Sequence, residues 1–178
     1  VGEQFAQQIR IPVWALPPLG GLVLGLFALA FPQVLGIGYE STAAALSGGY
    51  GALFMVVLIF AKLAATGLCI GARFGGGVFS PSIYIGAMLG GAFGALIGWL
   101  LGDIDAGVTF FTIVGMGAVS GAVLGAPMST TLIVFELTSS YETAAAVLVS
   151  VSLATVLVQS QGGGLFERQL KYRMRQNY

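Results

Sequence analysis

The chain of 178 residues has no histidine and one cysteine, Cys69. Without histidine there is no His-based metal site and no Ser-His-Asp triad. With one cysteine there is no CxxC redox pair and no disulfide framework. Charge is also scarce: 8% of residues are Asp, Glu, Lys or Arg, against about 25% in a soluble domain. So few charges cannot cover the surface of a water-soluble globule, and a mean hydropathy of +0.94 is far too high for disorder. The net charge is zero, so nothing draws the chain toward nucleic acid as a partner. HExxH and GxSxG strings and paired intramembrane aspartates are missing too, which leaves an intramembrane enzyme without support. Asp103 and Asp105 mark a turn between apolar stretches. What remains is a polytopic all-α membrane protein, in contact with the lipid bilayer, or part of one.

The charges fall in clusters. Residues 11–39, 41–61, 74–102, 106–135 and 143–166 carry none. About 20 apolar residues cross the hydrocarbon core as a helix, so this spacing predicts roughly five or six helical elements. Runs such as 52–60 are apolar on every side and exclude the alternation of a β-barrel. The N-terminus has no basic signal-peptide region, and the chain reads as an internal piece of a larger protein. Its last segment, 167–178, sets Arg168, Lys171, Arg173 and Arg175 against Glu167. The positive-inside rule places this basic helix, about 165–178, in the cytoplasm of a multi-pass protein.

Glycine is abundant, at 28 residues, and much of it is in register. Gly86, Gly90, Gly94, Gly98 and Gly102 recur at every fourth position beside Gly91, and Gly117, Gly121 and Gly125 repeat the spacing. Such stripes let helix backbones approach closely in lipid, and they predict a dense bundle rather than a ligand. A second group interrupts the apolar runs. Between 52–70 and 82–101 stands Gly71-Ala-Arg-Phe-Gly-Gly-Gly-Val-Phe-Ser-Pro81. Gly75, Gly76 and Gly77 do not propagate a helix cheaply. Pro81 suits the first turn of a new helix, with Ser80 as its N-cap. A helix is therefore expected from Phe79–Pro81 to about Leu101. Its first N–H groups, around Val78 and Phe79, have no intrahelical partner. Such a break is tolerated at membrane depth only inside protein or beside a water-filled cavity. With the partial positive charge of a helix N-terminus, it forms an anion site built from backbone, without a cationic side chain; a kinked helix or an ordinary loop is the plainer alternative. Arg73 lies at the mouth of the loop or at a helix C-terminus.

The pattern recurs at Gly125-Ala-Pro-Met-Ser-Thr-Thr131, where Pro127 opens a helix reaching about Thr138. Glu136 near its end is a side chain bonded at a helix end or subunit contact, or alternatively a proton relay. A third break, Gln161-Gly-Gly-Gly-Leu-Phe166, opens the basic terminal helix.

Gly75-Gly-Gly-Val-Phe-Ser-Pro81 followed by Ile85-Gly-Ala-Met-Leu-Gly90 resembles the GxFxPxLxxGAxxG motif of the CLC chloride channels and chloride/proton exchangers. Gly115-Met-Gly-Ala118, Ala126-Pro-Met-Ser-Thr-Thr-Leu-Ile-Val-Phe-Glu-Leu-Thr138 and Tyr141 are similar to that family's GMGA…APLT…VFELT stretch. The helix holding Lys62 and Cys69 and the segment Leu16-Pro-Pro-Leu-Gly20 also fit. The resemblance covers about residues 10–173 and concerns the C-terminal half of the family's membrane domain, one of two inverted repeats with broken, re-entrant helices around an anion. The whole chain, 1–178, is then that half, and the first half, with its GSGIP and GKEGP or GREGP loops, and any CBS domains are absent from it.

The resemblance implies chloride or a similar monovalent anion as substrate, no cofactor, transport by a channel or a proton-coupled antiporter, and a homodimer. It carries anion contacts onto the amides of Val78 and Phe79, with Gly75, Gly76, Gly77, Ser80 and Pro81 as loop and helix-start support. The family's last helix opens with a Tyr whose hydroxyl completes the site; the aligned position here is Phe166, which has no hydroxyl. Segments 127–138 and 144–160 match the dimer-facing helices. Their Leu132, Phe135, Leu137, Val147, Leu148, Val151 and Val156 would serve equally for lipid contact. A non-conducting membrane scaffold or assembly fragment is the alternative from another class, since half of an inverted repeat does not enclose a two-sided pathway.

Overall fold

A computed structural model describes residues 15–72, 74–102, 107–138, 140–160 and 174. Among these residues the chain is all-helical: α1 (Leu16–Ala30), a 3₁₀ turn (Pro32–Val34), α2 (Tyr39–Leu46), α3 (Ala52–Gly71), α4 (Phe79–Leu101), α5 (Val108–Leu124), α6 (Pro127–Thr138) and α7 (Tyr141–Ser160). Three of them, α3, α4 and α7, are long and apolar enough to cross a membrane, and α1 and α5 are shorter apolar helices. The seven described α-helices exceed the five or six that hydropathy predicts. The additional one is α2, whose Glu40, Ser41 and Thr42 dilute the apolar signal. Side-chain bonds hold it instead: Ser41 Oγ donates to the Gln33 carbonyl at 3.0 Å and Thr42 Oγ1 to the Gly38 carbonyl at 2.9 Å.

Prolines and caps set where the helices begin. Proline stands in the first turn of α1 and opens α6, where its missing N–H costs no intrahelical bond. Ahead of α7, Ser140 Oγ accepts the Thr143 N–H at 3.4 Å, and Glu142 occupies the first turn, where the helix dipole favours an acid. Hydroxyls within the helices bond back one turn, as Thr66 does to the Lys62 carbonyl at 2.8 Å and Thr112 to Val108 at 2.7 Å. No hydroxyl so bonded is left unsatisfied in apolar surroundings.

The bundle closes around glycine. α4 and α5 share the most extensive helix–helix contact among the described residues; α3 also packs on α4, and α7 on α5. Along the α4–α5 seam, Gly86 and Gly90 lie directly against the backbone of Phe111, Gly115 and Met116. Gly117 and Gly121 receive the side chains of Val147 and Val151 from α7. The expected stripes are therefore close-approach surfaces. Val147 and Val151 are fully buried there, which corrects their assignment to a lipid or dimer face: the missing glycine side chains make room for them inside the bundle. Leu132 and Val156 do face outward, and Leu148 partly so; the Leu137 side chain lies outside the described ones. A second core joins α3 to α4 through Met55, Leu58, Tyr84 and Met88, all fully buried. Leu26, Leu29, Leu53, Phe60, Trp99 and Leu153 point away from the bundle, as they do where the solvent is lipid.

Candidate functional site

The chain leaves helical geometry between Gly71 and Phe79, as the glycine run predicts. The end of α3 is closed by Ala72 N–H to the Leu68 carbonyl at 2.8 Å and Phe74 N–H to Cys69 at 2.9 Å. Gly75, Gly76 and Gly77 follow as open loop, with nothing within 4 Å of where a side chain would begin. α4 then starts at Phe79, and its first backbone bond runs from Ser82 N–H to the Val78 carbonyl at 3.1 Å. Pro81 sits in the first turn and has no N–H to place. The N–H groups of Val78, Phe79 and Ser80 find no acceptor among the described residues. These are the orphan donors of a helix start.

Ser80 departs from its expected role. Val78 is the N-cap residue and no side chain caps α4. The Ser80 hydroxyl reaches across the chain and donates to the Ile37 carbonyl at 2.9 Å. That bond ties the helix start to the turn after α1.

The loop borders a cleft of about 310 Å³, open on one side, whose walls come from α3, the 34–37 turn and the α4 start. Gly75, Gly76, Gly77, Val78, Ser80 and Pro81 all line it. Cys69 and Thr66 lie on the α3 wall. Lys62 lines it too, although its side chain is only 4% exposed overall. The Lys62 ammonium donates to the carbonyls of Val34 at 2.8 Å and Gly36 at 3.0 Å and stands 4.9 Å from the centroid of the Tyr84 ring. The expected anion site is built from backbone without a cationic side chain; the wall of this cleft also holds Lys62, which that expectation leaves out. The sequence did hold a signal, since Lys62 is the only charge between Glu40 and Arg73, and an ionisable residue inside an apolar span is a functional candidate by default.

The second break is built differently. α5 ends on Gly125 in the left-handed conformation (φ 68°), and α6 restarts at Pro127 with one residue between. Thr130 and Thr131 bond back to the carbonyls of Ala126 and Pro127 at 3.0 and 2.8 Å. Ser129 and Glu136 are exposed. The third break with Phe166, the charged residues of the basic segment 165–178, Arg73, Asp103 and Asp105 lie outside the described residues.

Comparisons with known proteins match this chain to one family. The family model "Voltage gated chloride channel" matches residues 1–159. The chain is similar to the H(+)/Cl(-) exchange transporter ClcA of Vibrio parahaemolyticus, with 34% identity over 159 residues, covering 89% of this chain and 34% of that protein. To the same-named transporter of Klebsiella pneumoniae it is 32% identical, over 86% of this chain and 33% of that one. Its fold resembles the crystal structure of a slow cyanobacterial Cl-/H+ antiporter with a TM-score of 0.66 at 20% identity, over 93% of this chain and 48% of the other. The chain thus spans about a third of the length of the curated relatives it matches.

Proposed function

The chain belongs to the voltage gated chloride channel family, and from that premise we propose that it forms the C-terminal half of a membrane pathway for chloride or a similar monovalent anion. The observation that carries this reading is the cleft at the α3–α4 break: the helix-start amides of Val78, Phe79 and Ser80 have no acceptor among the described residues, and Val78 and Ser80 line the cleft, with Phe79 between them in the chain. Moving a small ion from water into a medium of low dielectric costs of order 20 kcal/mol in the idealised Born limit. Amide dipoles replace hydration at the ion while still letting it leave. Val78 and Phe79 supply these amides. Gly75, Gly76 and Gly77 keep the approach free of side chains, and Pro81 removes one N–H from competition.

Phe166 takes the place of a family tyrosine and brings no hydroxyl to the ion, so coordination at that position rests on other groups. The protein is multi-pass, with its C-terminus in the cytoplasm, and pairs as a homodimer through the α6–α7 face, where Leu132 and Val156 are exposed. The exchange transporters to which the chain is similar favour a conducting protein over a scaffold. No cofactor and no enzymatic step enters this reading.

Replacing a backbone donor tests the reading. Val78 has φ −86°, close to the proline range, and the residue before it is Gly77, which tolerates a following proline. Val78→Pro therefore deletes one N–H, and Val78→Ala trims the side chain and keeps it. A hydrogen bond to a charged group contributes about 1.5–3 kcal/mol, so Val78→Pro should weaken chloride binding roughly 10- to 100-fold and slow chloride flux from liposomes holding the full-length protein. Val78→Ala should stay within about threefold of the parent. Unchanged affinity and flux in Val78→Pro would remove the anion from this loop.

A further inference from the structure

The cleft wall has an asymmetry that the backbone amides alone do not account for. The turn after α1 also lines the cleft, and its carbonyls would present negative ends to an anion. Three of them are supplied with donors: Lys62 from α3 donates to Val34 and Gly36, and Ser80 from α4 to Ile37. The cleft is thus bordered by helix-start donors without acceptors among the described residues and by these three acceptors already supplied with donors. One of those donors carries a full charge.

We infer that Lys62 is a selectivity-determining residue of this cleft: its ammonium screens the Val34 and Gly36 carbonyls from the anion and makes the cleft electrostatically positive. The inference rests on the anion reading of the α4 start. Its geometry is specific. Two carbonyls and the face of Tyr84 surround the ammonium, which is the environment of a protonated lysine, since carbonyl oxygens and a ring face both favour a cation. At 4% exposure water screens this charge little, so its field reaches into the cleft more strongly than that of a surface lysine. Held by two carbonyls, the ammonium stays in the wall. An anion feels its field without being trapped in a contact ion pair, and entry is favoured without fixing the occupant.

A pair of substitutions separates charge from mere clamping. Lys62→Gln keeps an N–H donor for the turn and loses the charge; Lys62→Arg keeps both. Chloride titration calorimetry on the full-length protein should show affinity lowered about tenfold or more in Lys62→Gln and within about threefold of the parent in Lys62→Arg. The anion-over-cation permeability ratio in liposomes should fall in Lys62→Gln alone. If Lys62→Gln binds and selects as the parent does while Val78→Pro loses binding, the lysine proposal is overturned and the anion loop stands. If neither substitution moves binding, the loop reading itself fails. Equal losses in Gln and Arg variants, matched by equal losses of thermal stability, would reduce Lys62 to a clamp and also overturn the proposal.

A measurement on the unaltered protein covers the case in which Lys62→Gln does not assemble. Cys69 lines the same cleft and is partly exposed. Its modification by an anionic and a cationic methanethiosulfonate, followed by mass spectrometry of the Cys69 peptide, reports the local potential. The anionic reagent should be favoured about tenfold or more relative to the ratio for a free thiol. A ratio equal to that of the free thiol, or one favouring the cation, would overturn the inference.

Discussion

Glycine does opposite things just before α4 and within it. In the loop before the helix, Gly75, Gly76 and Gly77 have nothing within 4 Å of the position a side chain would take. Two turns into the helix, Gly86 and Gly90 have a neighbouring backbone where that side chain would be. In the first place the residue type leaves the backbone open; in the second it lets backbone close on backbone. The same composition therefore builds a cleft and seals the bundle beside it. The difference lies in whether a second helix runs alongside: α5 packs along α4, while the loop faces the cleft.

The comparison is broken most severely at the seam. A methyl group on Gly90 meets the Phe111 carbonyl and the Gly115 Cα, and neither belongs to a flexible side chain that could swing aside. Overpacking of a core costs about 1–3 kcal/mol where side chains can adjust. Here two helices must separate, so Gly90→Ala is expected to lose about 3 kcal/mol or more. Thermal melting in detergent, followed by loss of the folded size-exclusion peak, would show it. An alanine tolerated at this position would mean that α4 and α5 are further apart than described.

A smaller effect is expected where the cleft is tied rather than packed. Ser80→Ala removes the hydroxyl bond to the Ile37 carbonyl at 2.9 Å and leaves that carbonyl partly exposed to water. A hydrogen bond of this kind contributes about 1 kcal/mol net. Melting should fall by that amount, and hydrogen exchange should quicken at the amides of residues 35–38. No change in exchange there would show that the turn is held by Lys62 and Ser41 without Ser80.

These expectations also show what the sequence could disclose. Glycine runs, the positions of Pro81 and Pro127 and the apolar runs place α3, α4 and α6 within a residue or two, because each signal is local: a helix breaker, a first-turn proline, an apolar length; α7 begins at Tyr141, three residues before the expected segment 144–160. The break between α3 and α4 is legible for the same reason. The role of Ser80 was not, since an N-cap and a bond to a carbonyl 43 positions away look identical in sequence. Lys62 was visible as an isolated charge but not as part of the cleft, because the turn that receives it lies 26–28 positions earlier. Val147 and Val151 were read as outward-facing. In a helix apolar on all sides the periodicity that separates core from lipid face is absent, and only the matching glycines on α5 decide it.

The smallest expected effect is the sharpest test of the contrast. Gly76→Ala introduces the same methyl group as Gly90→Ala, at a residue whose surroundings are empty to 4 Å and whose φ is not in the left-handed range. Nothing must move to admit it, and the added side chain restricts the unfolded loop more than glycine does. Its melting temperature should therefore match the parent, with a stability change within about 0.5 kcal/mol. On the proposed anion reading, any consequence should appear in transport, because a methyl group in the cleft would narrow the approach to the Val78 amide. Equal destabilisation by Gly76→Ala and Gly90→Ala would mean that the loop is packed against something in the full-length protein, and the cleft would then be a seam like the one beside it.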